Sequence, residues 1–348
     1  MRLSLQGDSL IERAALRLGL VPNPALEAWA GMALSSTLIT ATQLRIFERL
    51  AQRPWSPDDL AHELALDKNV TRMLIHCLHS TGYLERRADS YQLSRSARRW
   101  LDPTSLQSVS HFVAACADYV PWWSNLRETI TTGAIIDHHN EPTNSEYWTR
   151  YISGQRDLAR LTSGEVSRRV RISGQATSML DIGGGHGEYS VAICRRYRGL
   201  RSVVLDIPGS AQVGARLISD AEMDDRVRVV EGDALAAPFG HDHDVILCFN
   251  LIHHLSQDEV GLVFAKANAA LRPGGTFYIM DGFAESSHKH RPAQAYASLF
   301  MYLSSGSRIY SGAAIKTALS AADFQSIRNV RIRRMPGVSM YSAMRRRG

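Results

Sequence analysis

Four glycines, Gly183, Gly184, Gly185 and Gly187, stand between Leu180-Asp181-Ile182 and Glu188. Residues without a Cβ let a chain turn tightly and let a ligand approach main-chain N–H groups. The loop is not a P-loop, since no Gly-Lys-Ser/Thr follows. It also departs from G-x-G-x-x-G, because Glu188 stands where the last glycine would be. A carboxylate there repels a pyrophosphate and is compatible with a cationic ligand. Asp206 lies twenty-five residues after Asp181, at the end of the next apolar run, where a carboxylate can accept hydrogen bonds from both hydroxyls of a ribose. Gly232-Asp233-Ala234, Asn250 and Asp281 close later runs in the same way. His253 and His254 follow Asn250, and an imidazole titrates near neutral pH, as proton transfer requires.

These residues need a scaffold that brings strand ends together. Met179-Leu180, Val203 to Leu205, Val227 to Val230, Val245 to Phe249 and Phe277 to Met280 read as buried strands separated by helix-length segments. That is the pattern of a parallel sheet with helices on both faces, whose ligands bind beyond the carboxyl ends of the strands. Upstream, residues 31–53 place Leu34, Leu38, Ile39, Leu44, Ile46, Phe47 and Leu50 at helical intervals, ending at Pro54. Ser56-Pro57 opens a second helix and Asn69 to Thr81 forms a third, stopped by Gly82. Two short strands flank Ala88-Asp89, which completes a winged-helix pattern. Residues 105–172 are helical and aromatic, with Tyr119, Trp122, Trp123, Tyr147, Trp148 and Tyr151 available as flat walls for a planar substrate or as ordinary helix packing.

Of 348 residues, 45% are apolar and 21% charged, which excludes disordered, collagenous and disulfide-scaffold classes. No run reaches the roughly 18 apolar residues of a membrane span, and Asp8 and Glu12 interrupt any secretory signal, so a cytoplasmic location is expected. Cys77, Cys116, Cys194 and Cys248 form no CxxC and are expected to be buried thiols. The net charge of +6 comes from scattered arginine clusters of the kind that coat a surface. A winged helix raises the rival reading of a DNA-binding regulator. Residues 45–99 hold ten Lys or Arg against seven Asp or Glu, but the candidate recognition helix carries only Arg72 among Met73, Leu74, Ile75, Cys77 and Leu78. His241-Asp242-His243-Asp244 reads as a solvated turn.

The order and spacing of these motifs identify a resemblance that covers about Leu20 to Met344. The sequence is similar to the winged-helix class I S-adenosylmethionine-dependent O-methyltransferases that include plant caffeic acid and bacterial natural-product enzymes. The motifs that carry it are Trp123-x-x-Leu126 through Thr132-Gly133, Leu180 to Gly187, Val204 to Pro208, Glu231-Gly232-Asp233, Leu251 to Glu259 and Leu271-Arg272-Pro273-Gly274-Gly275. The resemblance implies an α/β protein: an N-terminal helical winged-helix dimerisation domain (1–104), a helical linker contributing to the acceptor pocket (105–172) and a Rossmann-like catalytic domain (173–348). It implies S-adenosylmethionine as cofactor, with Asp181, Gly183 and Gly185 at its methionine end, Asp206 at the ribose and Asp233 with Ala234 at the adenine. Asn250 is counted with the cofactor residues. His253 takes the place of the family's general base, and Asp281 that of a carboxylate that orients it. Trp122, Trp123 and His254 are assigned to a small-molecule acceptor, with His138-His139 as further candidates. No metal is expected, because adjacent histidines diverge, although His288 and His290 also lie nearby in sequence. Two departures stand out: His254-Leu255 replaces the usual Asp-Trp, and a second orienting glutamate is missing near Ile309. O-methylation is the expected reaction, C-methylation of a 2-oxo acid or another activated carbon is the alternative, and a fold that keeps the cofactor but has lost its chemistry is a further one. A homodimer is expected, without nucleic-acid or membrane partners.

Overall fold

The computed structural model describes residues 9–135, 141–283, 292–306, 309–333 and 338–347. The chain divides into two compact units, one up to Ala117 and one from Asp118 onward, with 291–293 grouped with the first.

The first unit runs α1 (Leu10–Arg17), α2 (Asn23–Gln43), α3 (Ile46–Gln52), α4 (Pro57–Glu63), α5 (Lys68–Ser80), β1 (Leu84–Arg87), β2 (Ser90–Leu93) and α6 (Arg95–Trp100), and the start of α7 (Ser110–Ser124) follows. The single helix expected over 31–53 starts earlier and breaks at Leu44-Arg45. Arg45 takes a left-handed conformation (φ 60°) and forks onto Glu48, with Nε to Oε2 at 2.7 Å. The break redirects the chain so that Ile46, Phe47 and Leu50 enter a core with Trp55, Leu60, Ile75, Leu78, Leu84 and Leu93. Ser56 caps α4 by accepting the Asp59 N–H, Gly82 (φ 80°) stops α5, and β1 pairs antiparallel with β2. The winged-helix reading stands at this level. Cys77 is exposed and Cys116 only half-buried, so two of the four thiols depart from the expected burial.

The second unit continues through α8 (Leu126–Thr132), α9 (Glu146–Arg169), β3 (Ser178–Ile182), α10 (Glu188–Arg196), β4 (Arg201–Asp206), α11 (Pro208–Asp220), β5 (Val227–Glu231), β6 (His243–Phe249), α12 (Gln257–Ala270), β7 (Leu271–Gly282), α13 (Pro292–Ser305), α14 (Gly312–Ala321), β8 (Phe324–Val330) and β9 (Val338–Arg345). A short 3-10 turn, Ile252–His254, lies between β6 and α12. The described strands form a seven-stranded sheet in the order β5-β4-β3-β6-β7-β9-β8. The five strands expected from sequence are parallel, and β9 runs antiparallel to both β7 and β8. Strand order reverses between β3 and β6, so the crevice beyond their carboxyl ends is the place for a ligand.

Apolar layers on the two faces of the sheet hold it together. One gathers Met179, Val204, Leu247 and Met280, and the other Leu180, Ile246, Phe264 and Phe277. β8 gives a weak strand signal because it is an edge strand: Gln325, Ser326, Arg328 and Asn329 are exposed and its register shifts between Gln325 and Arg328.

The expected solvated turn at 241–244 is only half right. His243 and Asp244 are buried. The Asp244 carboxylate accepts from Thr177 N (2.8 Å) and Ser178 N (2.9 Å), and His243 bonds Ser178 Oγ and the Phe239 carbonyl. These groups tie the start of β6 to the start of β3, where backbone donors would otherwise go unmet.

Candidate active site

The glycine loop connects β3 to α10. Gly183 N donates to Leu205 O, and Gly183, Gly185 and Gly187 all take positive φ. Asp181 is buried beneath the loop. Its Oδ2 accepts from Ser190 Oγ at 2.7 Å, Ser190 contacts Ser202 at 3.0 Å, and Oδ1 finds no hydrogen-bond partner among the described residues. Burial pushes this carboxyl up to about 7, with the Ser190 hydroxyl working against the shift and the Asp206 charge adding to it. Asp206 ends β4. Its Oδ2 accepts from Gly185 N at 2.7 Å and its Oδ1 from Ile207 N at 2.8 Å; burial nonetheless pushes it up to about 6.

A helix that does not belong to the sheet's crossovers braces this loop. From α9, Ser163 Oγ donates to Glu188 (3.1 Å), Arg156 pairs with Glu188 (3.5 Å) and Thr162 meets the Tyr189 hydroxyl (3.1 Å). His186 accepts the Glu188 N–H, and burial keeps its imidazole neutral, down to about 3. Glu188, read from sequence as an electrostatic filter, is thus also a tether between two helices. Spacing could not reveal this, because its partners lie 25 and 32 residues upstream.

The remaining cofactor candidates lie at other strand ends. Asp233 is exposed and its Oδ1 accepts from Leu235 N, making a tight turn. Lys266 of α12, which the sequence reading passed over, secures that turn by donating to the Ala234 and Leu235 carbonyls. Asn250 sits exposed just beyond β6 with φ 53°, its N–H donated to Met280 O.

His253 and Asp281 are brought together, both buried. The imidazole Nδ1 lies 2.9 Å from Asp281 Oδ1 and 3.0 Å from Oδ2, the His253 N–H donates to Oδ2 at 3.3 Å, and Gly282 N holds Oδ1 at 2.7 Å. The His254 ring lies against His253, centroids 4.0 Å apart, and its Nδ1 is 2.8 Å from Ser305 Oγ of α13. Near the place of the missing glutamate, the Tyr310 hydroxyl donates to the Leu255 carbonyl, which pins the turn from its other end.

The two candidate tryptophans differ. Trp122 is 2% exposed and packs against Tyr119 and Phe300 of α13, whereas Trp123 is 38% exposed and stacks at 6.4 Å from Phe300. Phe300 was not singled out from sequence, since nothing local distinguishes it from core. On α9, Tyr147 and Tyr151 stack at 5.5 Å; the Asp206 charge adds to the burial that pushes Tyr151 up to about 12. Among the described residues no group of three His, Cys, Asp or Glu is arranged to hold a metal ion. His138, His139, His288 and His290 lie outside the described residues.

A buried, carboxylate-held histidine beside a glycine loop narrows the chemistry, and comparison with known proteins decides the family. Residues 130–325 match the O-methyltransferase domain and residues 26–103 the O-methyltransferase dimerisation domain. The chain belongs to the O-methyltransferase family. It is similar to 3-hydroxy-5-methyl-1-naphthoate 3-O-methyltransferase of Streptomyces sahachiroi, at 25% identity over 86% of this chain and 89% of the relative. It is also similar to L-tyrosine C(3)-methyltransferase of Streptomyces lavendulae, at 24% identity over 85% and 86%. The fold is that of human N-acetylserotonin methyltransferase, solved in complex with S-adenosylmethionine, with a TM-score of 0.83 at 18% identity over 99% of this chain and 100% of that one.

This O-methyltransferase is S-adenosylmethionine-dependent, and its residues fit that cofactor. Two buried carboxylates with raised pKa values and one orphaned oxygen, Asp181 Oδ1, suit a ligand that brings both cationic groups and hydrogen-bond donors. Gly185 (φ 46°) leaves the space that a Cβ would fill beside Asp206 Oδ2, Ser210 Oγ and Ile152 Cδ1.

Proposed function

We propose that this enzyme methylates an oxygen of a small, flat aromatic metabolite, with His253 as general base and Asp281 as the residue that orients it. The observation that carries the reading is the buried contact between Asp281, the second-last residue of β7, and His253, just past the end of β6. A carboxylate acceptor keeps the imidazole proton on Nδ1, which leaves the Nε2 lone pair to take a proton from an acceptor hydroxyl. Asp281 then stabilises the imidazolium. When bound, S-adenosylmethionine supplies a methyl group activated on a sulfonium. Asp181, Gly183 and Gly185 would hold its methionine end, Asp206 its ribose, Asp233 and Ala234 its adenine, and Asn250 would line the same crevice. On the acceptor side, Trp123 would offer an aromatic face backed by Trp122 and Phe300, and His254 would border the hydroxyl next to His253.

In this reading residues 1–104 dimerise the enzyme, 105–172 contribute to the acceptor pocket and 173–348 carry the catalysis. The enzyme would work as a homodimer in the reducing cytoplasm, consistent with free thiols at all four cysteines. A nucleic-acid partner is not part of the proposal: Arg72, the arginine of α5, is held by a two-pronged bridge to Asp58. A second reading, methylation of an activated carbon, is favoured by the similarity to a tyrosine C(3)-methyltransferase. Removing the proton from a phenol activates the adjacent ring carbon as well as the oxygen, so the same base serves both outcomes.

The test begins with calorimetric titration of S-adenosylhomocysteine. Saturable binding that Asp206→Ala weakens by about 2 kcal/mol is expected from the loss of a charge-assisted bond, and no binding to the wild type would overturn the reading. A screen of hydroxylated aromatics with product identification then separates O- from C-methylation. His253→Ala should lower turnover by about 10²- to 10⁴-fold with cofactor affinity unchanged; undiminished turnover would remove His253 as base.

A further inference from the structure

The turn that follows β5 closes on a single carbonyl. Ala236 N and Ala237 N both donate to Asp233 O, at 3.1 and 2.7 Å. The next carbonyls of a helical turn are met by the N–H groups four residues further on. Four residues after Ala234 stands Pro238, which has no N–H, so the Ala234 carbonyl cannot be met from within the turn. Lys266 of α12 meets it from outside: its Nζ donates to Ala234 O at 2.7 Å and to Leu235 O at 2.9 Å, 32 and 31 residues away in the chain. The same ammonium lies 4.3 Å from the centroid of the buried Phe239 ring. Two carbonyls and an aromatic face thus fix one amine. Burial lowers the Lys266 ammonium from its usual value, and the Asp233 charge works against that shift. On its other side the turn is anchored by Gly232 N, which donates to Asp206 O at 2.8 Å. Asp233 Oδ1 accepts from Leu235 N at 2.7 Å, which leaves Oδ2 for a ligand.

We infer that Lys266 is a positioning residue for adenine recognition: by holding the Ala234 and Leu235 carbonyls it keeps the turn at 233–237 in the orientation that presents Asp233 to the 6-amino group of the base. The inference deepens the proposed function and rests on the assignment of Asp233 and Ala234 to the adenine. A carboxylate accepts from an amino group and repels the carbonyl oxygen that replaces it in hypoxanthine. The turn therefore separates the two bases only while its orientation is held. In a loosened turn the exposed Asp233 would move with its backbone, and ordering it would become a cost of binding. Lys266 acts through the turn rather than by touching the base. Its loss should appear in selectivity more than in stability, because Ala234 and Leu235 are only half-buried and water can replace the ammonium at their carbonyls.

The experiment titrates wild type, Lys266→Met and Asp233→Ala with S-adenosylhomocysteine and with S-inosylhomocysteine, whose base carries an oxygen in place of the amino group. The melting temperature of each ligand-free protein is measured alongside. The wild type should prefer S-adenosylhomocysteine by about ten- to a hundredfold, the range of one charge-assisted bond, and Asp233→Ala should abolish the preference. Lys266→Met should weaken S-adenosylhomocysteine by about three- to tenfold, the effect of holding the turn ready. S-inosylhomocysteine should change by less than about twofold and the melting temperature by less than about 3 °C. An unchanged preference in Lys266→Met overturns the inference. So does an equal loss for both ligands, which would make Lys266 a structural residue. If Lys266→Met melts too low to titrate, Lys266→Gln, which loses the charge and keeps an amide donor, is read by the same criterion. A wild type without preference, or an Asp233→Ala variant that keeps it, removes the adenine assignment; a preference lost in Asp233→Ala and kept in Lys266→Met removes only the role of Lys266.

Discussion

Ionising Asp181 or Asp206 in the free enzyme means placing a negative charge in a buried site, and burial is what raises both carboxyls, to about 7 and about 6. Because these folded values lie above the unfolded value near 3.9, the two groups stabilise the empty protein most at low pH. That contribution is lost as pH rises through the folded values. A cation reverses the balance, since it favours the ionised form. S-adenosylmethionine carries a sulfonium where S-adenosylhomocysteine has a neutral sulfur. The affinity ratio in favour of S-adenosylmethionine should therefore grow between about pH 5.5 and 7.5. Calorimetry of both ligands across that range checks this, and identical pH slopes would remove the electrostatic role of the pair. At this scale the sequence marked Asp181, Asp206 and Asp281 because each closes an apolar run. It was silent about Ser190, Ser202 and Ser210, because a serine in a helix or strand has no pattern that marks it as a partner of a distant group.

At the scale of elements, the glycine loop is shaped by the helices packed against it. α11 approaches the loop so closely that a Cβ on Gly214 would lie 2.1 Å from the Gly185 carbonyl oxygen. Backbone cannot yield as a flexible side chain can, so Gly214→Ala must push α11 and the loop apart, at a cost of about 2–3 kcal/mol. The melting temperature should fall, and S-adenosylhomocysteine affinity should fall with it, because Gly185 N also holds Asp206. A variant of unchanged stability and affinity would show that the contact is not tight in solution. Helix α9 is tied to the same loop through Glu188, Arg156 and Ser163, and it carries Tyr147 and Tyr151. One helix thus links the glycine loop and the Tyr147–Tyr151 stack, an arrangement that periodicity cannot express.

For the whole molecule, α2 poses the question of what covers it. Glu27 is the single charged residue in Asn23–Gln43, yet only Ile39 and Ala41 of this helix are buried. Trp29 and Met32 are 69% and 67% exposed. A helix that is apolar around much of its girth is stable when packed, and the match of residues 26–103 to a dimerisation domain names a second copy as its cover. Sedimentation velocity should therefore give the mass of a dimer for the wild type and of a monomer for Trp29→Asp/Met32→Asp. A monomeric wild type would remove the homodimer from the proposed function.

Taken alone, the sequence determined what short-range physics controls: five parallel strands from their apolar runs, polar residues at their carboxyl ends, the capped helices and hairpin of the first unit, and the tight glycine turn after β3. These are legible because strand burial, capping and turn formation depend on neighbours a few residues apart. The tertiary structure alone decided the turn at Arg45, the antiparallel edge of β8 and β9 and the burial of His243 and Asp244. It also decided which tryptophan is open and that His254 turns to Ser305 across 51 residues, whereas the meeting of Asp281 and His253 across 28 residues was implied by the family resemblance and not by any local pattern. Such contacts join elements far apart in the chain, and their energies come from desolvation and close packing, which depend on the complete set of neighbours.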